Sequence, residues 1–197
     1  MLSLEQGKRL ITLARNAVSA HFSHKQVKID KKLAQDFNEL AGVFVTLNKA
    51  GELRGCIGFP EPVYPLYEAV TKAAVSAAFS DPRFIPLDKD ELSHVKFEVS
   101  VLTPPRLIEV RNPEDYLSKI KIGRDGLVVK GTFHSGLLLP QVAVEYKWNA
   151  KTFLEQTCAK AGLDRNSWTD FEQCRVYSFQ GMVFSEVSPN GEVKQLM

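Results

Sequence analysis

Two strand-like runs joined by a four-residue turn constrain this chain more than any other feature. Residues 43–47 are rich in β-branched and aromatic side chains, Asn48-Lys49-Ala50-Gly51 has turn chemistry, and residues 52–57 return as a partner strand. The second arm carries Leu53-Arg54-Gly55-Cys56-Ile57-Gly58. On a strand, side chains alternate, so Leu53 and Ile57 are expected to point one way and Arg54 and Cys56 the other. Two residues along a strand span about 6–7 Å, near enough for a guanidinium to favour a thiolate. Gly55 and Gly58 add no side chain, which lets a ligand or another stretch of backbone approach closely. Two readings stand: a reactive thiol on an open wall, or a small packing cysteine beside glycines that make room for neighbours.

The elements around this hairpin mix helix and strand. Ser3 and Gln6 form a capping-box pattern, with Leu2 placed for a hydrophobic staple. Leu10, Ile11, Ala14, Val18 and Phe22 then recur at helical spacing, predicting a helix over residues 4–22. Asp30 is placed to cap a short helix whose Leu33, Phe37 and Leu40 share a face. Pro65 fits the first turn of a helix reaching Phe79, whose small-residue face of Leu66, Val70, Ala73, Ala74, Ala77 and Ala78 suits close packing on a sheet. Ser80-Asp81-Pro82 stops it, because the residue before a proline is pushed out of the helical region.

Residues 95–102 alternate as a strand, Phe97, Val99 and Val101 on one side and Glu98 and Ser100 on the other. Further on, 113–120 reads as a short helix, 123–126 as a turn, and 127–130 and 137–139 as strands. Pro140 opens a brief helix with Gln141 and Glu145 on one face. Asn149 caps a helix over 150–161 that ends at Gly162, residues 174–187 form a long strand, and the final residues are expected to fray. Without a βαβα rhythm, the expected class is α+β, with a mainly antiparallel sheet flanked by helices.

The bulk numbers exclude several function classes. The 197 residues suffice for one domain, and 44% hydrophobic with 24% charged side chains is ordinary for a globular protein. A net charge of +2, from 25 basic and 23 acidic side chains, does not argue for nucleic acid or an anionic membrane. No apolar run reaches the roughly 20 residues of a membrane helix. Cys56, Cys158 and Cys174 are an odd, widely spaced set without metal-ligand spacing, which predicts a reducing cytoplasm and no metal site. A homodimer is the default assembly, since soluble oligomers are most often twofold pairs.

Five strings then occur in order: LRGCIG at 53–58, AAFSDPRF at 77–84, FEVSVLTPP at 97–105, GLLLPQVAVE at 136–145 and FLEQTCAKAG at 153–162. As a set they closely resemble the AMMECR domain family, named for a human chromosomal region linked to an Alport-type syndrome. The likeness runs from about residue 40 to about residue 185. It implies a single domain over 1–197 with a larger lobe built from both termini, a smaller lobe between, and a cleft near the hexapeptide. It also implies association with a Memo-type and a radical-SAM-type protein, and leaves the reaction and any cofactor unspecified.

The candidate site is a cleft lined by Arg54, Cys56, Glu98 and the stretch from Gln141 to Glu145. As a binding module, Arg54 and Arg83 would fork a carboxylate or phosphate, Gly55 and Gly58 would expose backbone N–H groups, and Glu98, Gln141 and Glu145 would orient the arginines or the ligand. The bland counterpart is that these charges are ion pairs within the fold. As a thiol enzyme, Cys56 would be the nucleophile, needing a lowered pKa and a base. His134 is the best of four poor histidines, and Glu98 or Glu145 could serve if burial raises its pKa. Cys158 shares an apolar helix face with Leu154 and Ala161 and reads as packing, as does Cys174.

Overall fold

The structure, a computed structural model, describes residues 2–196. It divides into two compact units: one from the chain up to Leu102 together with the residues from Met182 on, the other Thr103–Gly181. The mixed helix and antiparallel strand content is as the sequence pattern implies.

In the first unit, helix α1 (Leu4–Phe22) starts at the Ser3 capping box, with both reciprocal bonds to Gln6 present. Asp30 caps α2 (Lys31–Asp36) by accepting the Leu33 N–H at 2.7 Å. Phe37 closes that helix and is buried, but Leu40 lies beyond it and is exposed, so the expected apolar triplet loses its last member. Strands β1 (Gly42–Lys49) and β2 (Glu52–Phe59) form the hairpin, its turn made by Ala50 and Gly51 at positive φ. Helix α3 (Leu66–Phe79) follows, with Pro65 at its cap rather than inside its first turn. Strand β3 (Val95–Leu102) pairs with the other side of β1, giving the antiparallel order β2-β1-β3. Val43, Val45, Leu47, Phe97 and Val99 face α1 and α3 in one apolar core. Ser100, expected on the outward side, is also buried. The tail does not fray throughout: β8 (Val193–Gln195) pairs with Phe184–Glu186, because this leaves Val193 in the core.

The second unit is a smaller sheet of β4 (Arg106–Leu107), β5 (Asp125–Gly131), β6 (Ser135–Leu138) and the first part of β7 (Cys174–Glu186), all paired antiparallel. Asp125 and Gly126, read from sequence as turn, already belong to β5. Helices α4 (Asp115–Lys119), α5 (Pro140–Glu145) and α6 (Ala150–Lys160) complete it, α6 capped by Asn149 and ended by Gly162 at φ 73°. Its core contains Leu127, Val129, Phe153, Leu154, Cys158, Trp168, Cys174 and Val176.

Candidate functional site

A one-residue slip in the hairpin decides where Cys56 points. Close to the turn, Lys49 pairs with Glu52 and Asn48 with Leu53; beyond it, Leu47 pairs with Gly55 and Thr46 with Cys56. Arg54 is the extra residue of a β-bulge, with no partner opposite it. Continued without the slip, the initial register would set Cys56 against Val45, whose side chain is in the core. One residue of shift moves every later side chain of β2 to the other face. Cys56 therefore joins Thr46, whose hydroxyl donates to its Sγ at 3.2 Å. The expected alternation breaks here: Leu53 shares the Asn48 side and is exposed, while Ile57 packs on the core.

The expected pairing of Arg54 with the thiol is replaced by another. Arg54 donates to both Glu91 oxygens at 3.2 and 2.9 Å and to the Ile85 carbonyl at 3.0 Å, and its side chain is only 12% exposed. These bonds, helped by the Asp88 N–H and Lys49, lower the Glu91 pKa to about 2 against the opposing effect of burial. Arg54 thus ties the bulge to the turn before β3.

The backbone of Cys56 is held by a second ion pair. β2 ends the strand order, so its outer N–H and C=O groups have no strand beside them. The Asp81 carboxylate accepts the Cys56 N–H at 2.8 Å, and Arg83 donates to the Cys56 carbonyl at 3.1 Å. Arg83 in turn grips Asp81 through two side-chain bonds of 3.0 and 2.7 Å. Together they imitate a neighbouring strand and close the edge. The Arg83 bonds hold the Asp81 carboxyl well below the usual carboxylate range; burial opposes this, and the Cys56 and Arg83 N–H groups reinforce it. The Asp81 side chain is 1% exposed, but that of Arg83 is 53% exposed. No bond engages its Nη1 among the described residues.

Both hexapeptide glycines are explained by contacts within this unit. A Cβ on Gly55 would lie 2.1 Å from the Ala77 carbonyl oxygen of α3, and one on Gly58 would lie 2.2 Å from the Val43 carbonyl oxygen. The alanine face of α3 brings helix backbone directly against the strand.

Glu98 joins Cys56 in one row. Thr46 is opposite Cys56 on β2 and opposite Glu98 on β3, so the three side chains line up across a single face. Burial raises the Glu98 pKa, against the lowering effects of the Ser185 hydroxyl and of Lys96. The row reads thiol, hydroxyl, carboxyl. Gln141 and Glu145 are exposed on α5 of the second unit. Of the histidines, His21 stacks on Phe79, His94 bonds Ser93 and the Asp90 carbonyl, and His24 and His134 are exposed. None bonds Cys56. No cluster of three or more His, Cys, Asp or Glu fit for a metal occurs among the described residues, and no helix there is long and apolar enough to cross a membrane.

The sequence model of the AMMECR1 family matches residues 11–184. The chain belongs to the AMMECR1 family. Among AMMECR1-family relatives, protein MJ0810 of Methanocaldococcus jannaschii is 47% identical over 98% of this chain and 96% of its own length. Protein MK0488 of Methanopyrus kandleri is 50% identical over 98% and 95%. The crystal structure of uncharacterized protein PH0010 from Pyrococcus horikoshii superposes with a TM-score of 0.83 at 47% identity, covering 97% of this chain and 96% of that one. Two of the strings that carry the AMMECR1 likeness, LRGCIG and AAFSDPRF, are here one hydrogen-bonded assembly around Cys56. Asp81 and Thr46 were not among the residues singled out from sequence. Asp81 lay within AAFSDPRF but read as a helix stop, and Thr46 becomes a neighbour of Cys56 only through the bulge.

Proposed function

We propose that this AMMECR1-family protein is a recognition module that binds a small anionic ligand, or a carboxylate-bearing segment of a partner protein, beside Cys56. One observation carries the reading: a half-exposed guanidinium, Arg83, is locked by a buried carboxylate onto the backbone of a partly buried cysteine. A cation fixed in advance, with one nitrogen unbonded, loses little freedom on gripping a carboxylate or phosphate. The row of Cys56, Thr46 and Glu98 supplies hydrogen-bonding groups for the remainder of the ligand. Arg54, Gly55 and Gly58 support this wall, and Gln141 and Glu145 stand outside the proposal.

The alternative, a thiol-dependent enzyme with Cys56 as nucleophile, has less behind it. Arg54 is bound to Glu91, and no imidazole is bonded to the thiol to act as base. The first partners to assay are the Memo-type and radical-SAM-type proteins that the family resemblance implies, in the cytoplasm that the unpaired cysteines suggest. Thermal melting against anionic metabolites, nucleotides and a Memo-type protein tests the reading. A true ligand at about a hundredfold excess over Kd adds about 2.7 kcal/mol. It also slows iodoacetamide labelling of Cys56. No stabilisation by any of them, with Cys56 labelling unchanged, would end the reading.

A further inference from the structure

The second unit contains a thiol pair that the Cys56 site does not use. Cys158 is on α6 and Cys174 begins β7; they are 0% and 4% exposed and belong to one apolar cluster. Leu154, Cys158 and Ala161 form the buried stripe of α6 and its end. That end lies against the sheet: a Cβ on Gly136 would be 2.4 Å from the Ala161 nitrogen, and one on Gly131 would be 3.3 Å from the Leu163 side chain. Gly131 is the strand partner of Cys174, and Leu163 donates its N–H to the Cys158 carbonyl at 3.0 Å. Both thiols also feel the same 3-10 turn (Ser167–Thr169): the Cys174 thiol donates to the Ser167 carbonyl at 3.2 Å, and the Trp168 backbone favours the Cys158 thiolate. The influence of each thiol on the other pushes Cys158 up and Cys174 down, leaving Cys174 the better thiolate.

We propose that Cys158 and Cys174 are a redox latch: a small-molecule disulfide oxidises them to an intramolecular disulfide that bolts α6 to the start of β7. During a local opening, the Cys174 thiolate attacks the small disulfide, forming a mixed disulfide and releasing one thiolate. Cys158 then loses its proton and attacks the Cys174 sulfur, expelling the second. Two protein thiols are oxidised to one disulfide, and the oxidant leaves as two thiols. The loop closed from Cys158 to Cys174 is short, and cross-linking it removes chain entropy from the unfolded state.

The test treats the full native chain with oxidised glutathione near the onset of melting, then alkylates in denaturant, digests and maps the peptides by mass. The expected result is a peptide containing Cys158 linked to one containing Cys174, with a melting temperature higher by roughly 5–10 °C that dithiothreitol reverses. Recovery of Cys158 and Cys174 as alkylated or separately glutathionylated thiols overturns the latch. So does a link involving Cys56, or a Cys158–Cys174 link that leaves the melting temperature unchanged or lower.

Discussion

Cys56 and the pair Cys158 and Cys174 are the same chemical group placed in opposite surroundings. Cys56 is on a strand whose outer edge is closed by Asp81 and Arg83, with a hydroxyl, a carboxyl and a half-exposed guanidinium around it. Cys158 and Cys174 are buried in the apolar cluster of α6 and its sheet, where the Cys174 thiol donates to the Ser167 carbonyl. In the first region, hydrogen bonds hold a cysteine that is only partly buried; in the second, packing removes it from water. Reactivity in the one is a matter of access, and in the other of how often the core opens.

The widest test of that contrast is kinetic. In native protein, iodoacetamide should modify Cys56 at least about a thousandfold faster than Cys158 or Cys174, the margin expected when reaction waits on an opening of about 4 kcal/mol. Comparable rates at all three, read by peptide mass, would erase the distinction. Next, Gly55→Ala should cost at least about 3 kcal/mol, since the colliding atom is helix backbone that cannot move aside. Urea denaturation would show it, and a loss under 1 kcal/mol would mean α3 is free to withdraw.

Asp81→Ala should cost about 2–3 kcal/mol and speed Cys56 labelling, because the Cys56 N–H loses a charged acceptor. The Asp81 and Glu91 pKa values are both depressed, so their stabilisation is fully present above the ordinary carboxylate range. It is lost as pH falls from about 4.5 towards 2. Asp81→Ala should therefore flatten the acid limb of the stability profile, and an unaltered limb would remove Asp81 from the account. The smallest effect is Glu98→Gln. Its carboxyl titrates high, so ionisation at neutral pH opposes folding, and the substitution should gain less than about 1 kcal/mol at pH 7 and nothing below pH 4. A loss at pH 7 would show that the carboxylate has a partner it needs.

Much of the fold was legible in the sequence because it is written in local, periodic terms. The Ser3 box, the Asp30 and Asn149 caps, the stripe of α3 and the stop at Ser80-Asp81-Pro82 each depend on residues a few positions apart; the hairpin turn was legible too, although Asn48 and Lys49, read as turn, extend β1. The site was legible only in outline. LRGCIG marked the strand, and Cys56, Arg83 and Glu98 do belong to its surroundings, yet the role given to Arg54 went instead to a clamp on Glu91. The Val193–Gln195 strand was missed for the same reason: three residues carry no period, and only pairing with β7 makes them a strand.

The sequence by itself determined most of the segments that become helix or strand, most of the apolar faces, and which family the chain resembles. Tertiary structure alone decided which side of the sheet receives the Cys56 sulfur and which partners its neighbours take. The reason is parity: alternation along a strand is legible only until one residue is inserted. Whether a bulge forms at Arg54 depends on pairing across β1 and on how closely the α3 backbone presses on Gly55.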